Sequence, residues 1–193
     1  MTTEISQVDQ NIRLAFRYFN RFMLLLWRLG LGSWFQLWPE VTGQVLVITH
    51  IGRKTGLRRQ TPANYAVLDG EIYCTAAFGA HSDWYLNTLK NPNVEVWMPD
   101  GWWAGVVEDV SDHDNRIQIM REVIIGSGFA AYTFGINPQC PDDKLEKITR
   151  NYRLIRIRRT EARTGKGGPG DLAWVWPLAT FLLLPLVFRR RKR

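Results

Sequence analysis

Residues 58–77 read RRQTPANYAVLDGEIYCTAA. Arg58–Leu68 is an extended pattern and Glu71–Ala77 (EIYCTAA) its return. Asp69-Gly70 between them is a strong hairpin signal, because a two-residue turn needs residues that accept φ > 0. Upstream, Gln44–His50 (QVLVITH) is an apolar, β-branched run that enters the turn Ile51-Gly-Arg-Lys-Thr-Gly56. Downstream, Ser82–Lys90 predicts a short helix with Ser82 as N-cap, closed by Asn91-Pro92. Asn93–Met98 and Trp102–Val110 flank Pro99-Asp-Gly101, a second hairpin. Helical patterns recur near 113–125 and 142–150. Tyr152–Arg158 then alternates through Ile155-Arg-Ile157-Arg with a period of two. Six short strands with tight hairpins and few helices favour an antiparallel barrel over a parallel βαβ sheet.

The whole chain has 193 residues, a formal charge of +7 and 46% hydrophobic residues, enough for one domain with a real core. The basic excess is uneven. Residues 150–193 carry 12 Lys/Arg against Glu161 and Asp171, while residues 1–149 carry 13 basic and 16 acidic residues. A nucleic-acid-binding domain would spread cations over a folded face, so no nucleic-acid partner is expected. Cys74 and Cys140 are the only cysteines and read as free thiols of a reducing compartment. His50, His81 and His113 match no metal-ligand spacing, and no metal site is expected. MTTEISQVDQNIRL lacks the basic start and apolar run of a secretory signal.

Both ends of the chain point toward a membrane. Residues 172–188, LAWVWPLATFLLLPLVF, form an uncharged run of 17 followed by RRRKR. As a helix this run spans about 25 Å, a little short of a bilayer core. It predicts an anchor, with Gly165-Lys-Gly-Gly-Pro-Gly170 as a flexible tether. Seven cations between Arg150 and Lys166 balance the terminal RRRKR. An interfacial or re-entrant anchor with both flanks cytosolic reconciles the two signals. Near the N-terminus, Arg13, Arg17, Arg21 and Arg28 fall within about 80° of one helix face. Ile12, Phe16, Phe19, Phe22, Met23, Leu26 and Trp27 lie outside that sector. This is a basic amphipathic helix, suited either to an anionic membrane surface or to packing on the domain with its arginines in water.

Two stretches carry chemistry. In Thr49–Pro62 (THIGRKTGLRRQTP), Arg53, Lys54, Arg58 and Arg59 surround a turn whose Gly52 and Gly56 permit tight backbone. Such a cluster can hold phosphate or carboxylates. It also reads as a solvated hairpin tip, and it is not a Walker loop. In Ala76–Asn87 (AAFGAHSDWYLN), small residues would let a planar ring approach the backbone, and Trp84 and Asn87 follow on a helix. By itself this stretch reads equally as packing.

The order Thr49-x-x-Gly52-Arg-Lys-Thr-Gly56-x-x-Arg59-x-x-Pro62, then Trp84-Tyr-Leu-Asn87 and Asn91-Pro92-x-Val94, resembles the deazaflavin-dependent nitroreductase and F420H2-dependent quinone reductase family over residues 40–160. The resemblance implies a flavin-reductase-like split β-barrel, with reduced coenzyme F420 as hydride donor to an electron-poor acceptor. Arg53, Lys54, Thr55, Gly56, Arg58 and Arg59 would line the anionic tail of F420. The backbone of Ala76, Ala77, Phe78 and Gly79 would meet its ring, and Trp84 and Asn87 would close that side. The chain departs from many relatives at Phe78-Gly79-Ala80, where they have a longer, more polar loop. Tyr132 is the candidate proton donor or substrate-lining residue, with packing as its plain alternative. No Ser/His/Asp or paired-carboxylate set suggests a hydrolase.

These readings divide the chain into a helical region (1–39), the barrel (40–160), a linker (161–171) and an anchor (172–193). The expected protein is an oxidoreductase on the cytoplasmic side of the cell membrane, acting on a quinone or a nitro compound and free to form a homodimer. The competing reading is a non-catalytic, membrane-tethered barrel that binds F420, FMN, haem or lipid.

Overall fold

The computed structural model describes residues 17–38, 42–133 and 135–190. Arg13, Ile12 and Phe16 of the predicted basic helix, and residues 191–193 of the terminal cation run, lie outside them. Six strands form a closed antiparallel barrel in the order β1-β2-β3-β6-β5-β4: β1 (Val45–Ile51), β2 (Arg58–Leu68), β3 (Glu71–Ala76), β4 (Asn93–Met98), β5 (Gly101–Asp109) and β6 (Arg153–Ala162). Asp69 (φ 53°) and Gly70 (φ 81°) make the β2–β3 turn with both positions left-handed, as the hairpin signal requires. The barrel interior is filled from alternate positions, with Leu46, Ile48, Tyr65, Ile72, Val96, Ile155 and Ile157 among its buried residues.

Strand β1 opens with four apolar residues, Val45–Ile48, because both of its faces are covered there. Leu46 and Ile48 point into the barrel, while Val45 and Val47 pack outward on helix α1, of which residues 17–28 are described. Met23, Leu26 and Trp27 of α1 are buried there, with Trp97 from β4 against Trp27. The other helices are α2 (Asp83–Lys90), α3 (Arg116–Ile125), α4 (Phe129–Thr133), α5 (Asp142–Thr149) and α6 (Val175–Arg190). Helices α3 and α5 cover the outer face of β2, β3 and β6 through Met120, Val123, Leu145 and Leu154. The short α4 had no signal in the sequence.

The glycine-rich stretch, expected as a free tether, is bound at its end. Helix α1 closes with Gly30 at φ 79° and paired bonds from Leu31 N to Leu26 O and from Gly30 N to Trp27 O. The tail adds donors at this end: Gly170 N shares Trp27 O with Gly30 N, Leu172 N donates to Arg28 O, and the Trp176 indole to Leu29 O. The Arg28 guanidinium grips Asp171 through Nε and Nη2, and this pairing raises the arginine's pKa. Asp171→Ala should cost about 0.5–1 kcal/mol, the value of a partly exposed pair. Faster hydrogen exchange at the Gly170 and Leu172 amides, with barrel amides unchanged, is the expected result.

Two further observations concern the C-terminal segment. The cations read as one flank of an anchor belong largely to β6, where Arg156 and Arg158 pair with Glu108 and Arg159 with Asp100. They are barrel residues engaged in ion pairs across the strands. The apolar run of 172–188 is helical from Val175, and among the described residues no helix is long and apolar enough to cross a membrane.

Candidate functional site

The barrel opens between β2 and β3. Strand β2 pairs with β1 from Asn64 to Arg58, but with β3 only from Tyr65 to Leu68. Residues 59–64 thus leave the β3 side of their backbone unpaired, and Pro62, which has no N–H, sits in that edge. A cleft of about 480 Å³ occupies the split. Arg59, Gln60, Thr61, Pro62, Ala63 and Asn64 form one wall; Thr75, Ala77, Phe78 and the start of α2 with Ser82, Trp84 and Asn87 form the other. Ile124 and Ala131 close the far end, and Phe19 and Asn20 of α1 stand at the border.

The predicted cations part company because side chains alternate along a strand. Arg59 lines the cleft. Its neighbour Arg58 points the other way and pairs with Glu95 at 2.7 Å, where the Trp102 indole also donates. Arg53 bridges the turn to α2: its Nη1 reaches Asp83 at 2.8 Å and Asn87 Oδ1 at 3.1 Å, and its backbone N donates to the same Oδ1. Arg53 and Lys54 border a shallow groove beside the cleft that Lys90 completes. Gly56 turns the chain at φ 67°, and Gly52 has a different purpose. A Cβ on Gly52 would lie 2.8 Å from Arg59 Nε, so its bare backbone leaves room for that side chain. Thr55 Oγ1 accepts from Leu57 N inside the turn, and buried Thr49 accepts from Gln60.

On the opposite wall, Ala77 and Phe78 line the cleft, whereas Ala76 is buried in the barrel core. Gly79 turns at φ 66°, where a Cβ would meet Asn151 O at 2.4 Å. Ser82 is the residue before α2, yet its hydroxyl makes no capping bond. Its Oγ is buried at the cleft border and has no partner among the described residues. Tyr132 is exposed on α4 and is not among the lining residues, although Ala130 and Ala131 are.

The sequence reading passed over His50, which is 2% exposed at the barrel's end of the cleft. Its Nε2 lies 3.1 Å from Thr61 Oγ1 and its Nδ1 3.3 Å from Asn87 Nδ2. Burial, helped by the charge of Arg59, lowers its pKa to about 4, so the ring is neutral at pH 7. Tyr152, also on the wall, has its phenol pKa raised by burial. In the β1–β2 ladder His50 stands opposite Arg59.

The sequence profile described as F420H(2)-dependent quinone reductase matches residues 31–141, which include both walls of the cleft. The chain belongs to this family. Its cofactor is coenzyme F420, and it is an F420H2-dependent reductase. Among solved structures, the chain is similar to a conserved hypothetical protein of Mycobacterium tuberculosis at 21% identity, covering 63% of this chain and 76% of that one with a TM-score of 0.47. It is also similar to an F420-H2 dependent reductase, FDR-A, at 20% identity, covering 59% and 92% with a TM-score of 0.42. A haem storage protein of Vibrio cholerae matches at 13% identity, covering 72% and 94% with a TM-score of 0.47.

The residues present fit F420. Arg59 in the cleft and Arg53, Lys54 and Lys90 beside it suit an anionic tail. The unpartnered Ser82 hydroxyl and the open edge of β2 offer polar groups to a heterocycle, and Phe78 and Trp84 offer planar apolar surface.

Proposed function

We propose that this F420H2-dependent reductase works on the cytoplasmic surface of a membrane and delivers electrons to a quinone, with nitro compounds as a second class of acceptor. The observation that carries this reading is the division of α1 into faces. Met23, Leu26 and Trp27 are buried on the barrel, and Phe19 and Asn20 border the cleft. Tyr18, Phe22 and Leu25, within about 60° of one another around the helix, are exposed beside Arg17 and Arg21. Exposed Trp34, Leu37 and Trp38, and Trp174 and Trp176 on the tail tied to α1, add interfacial aromatics. An exposed aromatic face beside arginines is the chemistry of an anionic lipid surface. A lipid-soluble acceptor would then enter past Phe19.

When bound, reduced F420 supplies a hydride at C5, and the protein supplies position and electrostatics. Arg59 offers a cation inside the cleft, and Gly52 leaves it the space to do so. Phe78 and Trp84 exclude water from one wall, while His50, Thr61 and Asn87 fix polar groups in the cleft.

The test is sedimentation of the full chain with anionic and neutral vesicles, together with F420H2 oxidation using a vesicle-dissolved quinone. Binding should favour anionic vesicles. Phe22→Ser with Leu25→Ser, both on the exposed face, should reduce it by tenfold or more, since each side chain is worth roughly 1.5–3 kcal/mol when fully buried. A full chain that stays in the supernatant would remove the membrane from this reading. Turnover of a soluble nitroaromatic but of no quinone would reverse the order of acceptors.

A further inference from the structure

We propose that the Thr61 hydroxyl is a fixed hydrogen-bond donor to a conjugated carbonyl oxygen held in the cleft, oriented through Asn87 and His50. The proposal rests on the F420-reductase reading and concerns which atom the cleft selects.

The argument runs from the motif turn inward. Arg53 donates to Asn87 Oδ1 from its backbone N at 3.0 Å and from Nη1 at 3.1 Å. An arginine has only donors, so the Asn87 atom that faces it must be the oxygen. The amide nitrogen Nδ2 therefore faces His50 Nδ1, at 3.3 Å. That nitrogen has only hydrogens to give, so Nδ1 accepts. A neutral imidazole with a bare Nδ1 carries its proton on Nε2. Nε2–H in turn donates to Thr61 Oγ1 at 3.1 Å. The hydroxyl hydrogen of Thr61 cannot point back along this bond, and no acceptor for it is found among the described residues. Thr61 borders the cleft.

A threonine hydroxyl is ordinarily free to rotate and to serve as donor or acceptor. Here a one-way chain that begins at a guanidinium fills one lone pair of the oxygen and turns the hydroxyl hydrogen away from His50. The cleft thereby presents a donor, at one position, to whatever lies over β2. A molecule offering a carbonyl oxygen there supplies the acceptor that the Thr61 hydroxyl hydrogen otherwise lacks among the described residues. Asn87 and His50 are positioning residues, and Thr61 is the residue that makes contact. Both the cofactor ring and a quinone acceptor carry such a carbonyl.

The experiment uses the full-length protein in three arms. Nitrogen NMR of the unliganded protein reads the His50 tautomer, with the proton expected on Nε2. Fluorescence titration reads the Kd for F420. Steady-state kinetics with a short-chain quinone read KM and kcat. Thr61→Val should raise either the F420 Kd or the quinone KM about tenfold, the worth of one hydrogen bond in a dry site. The arm that moves identifies which carbonyl is bound. Thr61→Ser, which keeps the hydroxyl, should stay within about threefold of wild type in both arms. A proton found on Nδ1 would overturn the proposal, as would Thr61→Ser failing as badly as Thr61→Val. An active wild type with an unchanged Thr61→Val overturns this proposal alone. A wild type that neither binds nor oxidises F420 overturns the functional reading and the proposal with it.

Discussion

Arg59→Ala should weaken F420 binding by about 10- to 100-fold, the equivalent of roughly 1.5–3 kcal/mol for a charge-assisted bond in a partly dry site. Four cations surround the motif turn, but they do not share a role. Arg58 is held on the outer face by Glu95, and Arg53 is occupied with Asp83 and Asn87. Arg59 lines the cleft and makes no ion pair among the described residues, so its charge is available to an anionic ligand. Arg58→Ala, one position away, should leave the Kd within about twofold, since its own pair is partly exposed. Arg59→Lys should recover only part of the loss, because a point charge does not reproduce a planar fork. Fluorescence titration of the three variants reads all of this. Equal losses in Arg58→Ala and Arg59→Ala would mean that the strand's two faces do not separate tail-binding from structural cations.

The second large effect is acid sensitivity. The imidazole of His50 has an ordinary pKa of 6.5, lowered in the folded protein to about 4 by burial and then by Arg59. A depressed value means that the unfolded chain takes up the proton first. The stability associated with a neutral His50 is complete above pH 6.5. It is lost as the pH falls from there toward 4, and it does not change further below that. A gap of this size corresponds to roughly 3 kcal/mol. Wild type should lose about that much more stability between pH 7 and pH 4 than His50→Gln, measured by urea unfolding at each pH. Glu108 and Asp109 also have lowered pKa values, Glu108 mainly through its bond from Arg156 and Asp109 through bonds from Ser111 and Tyr85 that outweigh burial. They lose their contribution in the more acidic carboxylate range in both proteins, so the difference isolates the imidazole. Parallel pH curves for the two proteins would refute the neutral, buried assignment.

The strands were legible because their signals are local. Asn93–Met98 and Arg58–Leu68 have the bounds that alternation and hairpin residues imply, and β6 only runs longer, to Ala162. The resemblance pointed to a motif strand and a helix that the fold brings to one cleft, through Arg59, Trp84 and Asn87. What it could not divide was labour within the turn, since Arg58 and Arg59 differ only in which face of β2 they occupy. Ser82 was recognisable as a helix start, but whether its hydroxyl caps the helix depends on the backbone preceding it. His50 was invisible as a site residue because its partners are 11 and 37 positions away. The apolar residues of α1 were visible as a group, and only the barrel decides that Trp27 is covered while Phe22 is not.

The early parting of β2 from β3 also bears on how the protein behaves when empty. Residues 59–64 are a bare strand edge, the kind of surface onto which a stray strand from a neighbouring chain can zip. Pro62 interrupts that edge with a position that cannot donate, and Phe19 stands at the border of the opening. The opening that admits a ligand is therefore also the molecule's aggregation hazard. A bound heterocycle acts as its own chaperone by covering the edge, and Pro62 guards it between turnovers.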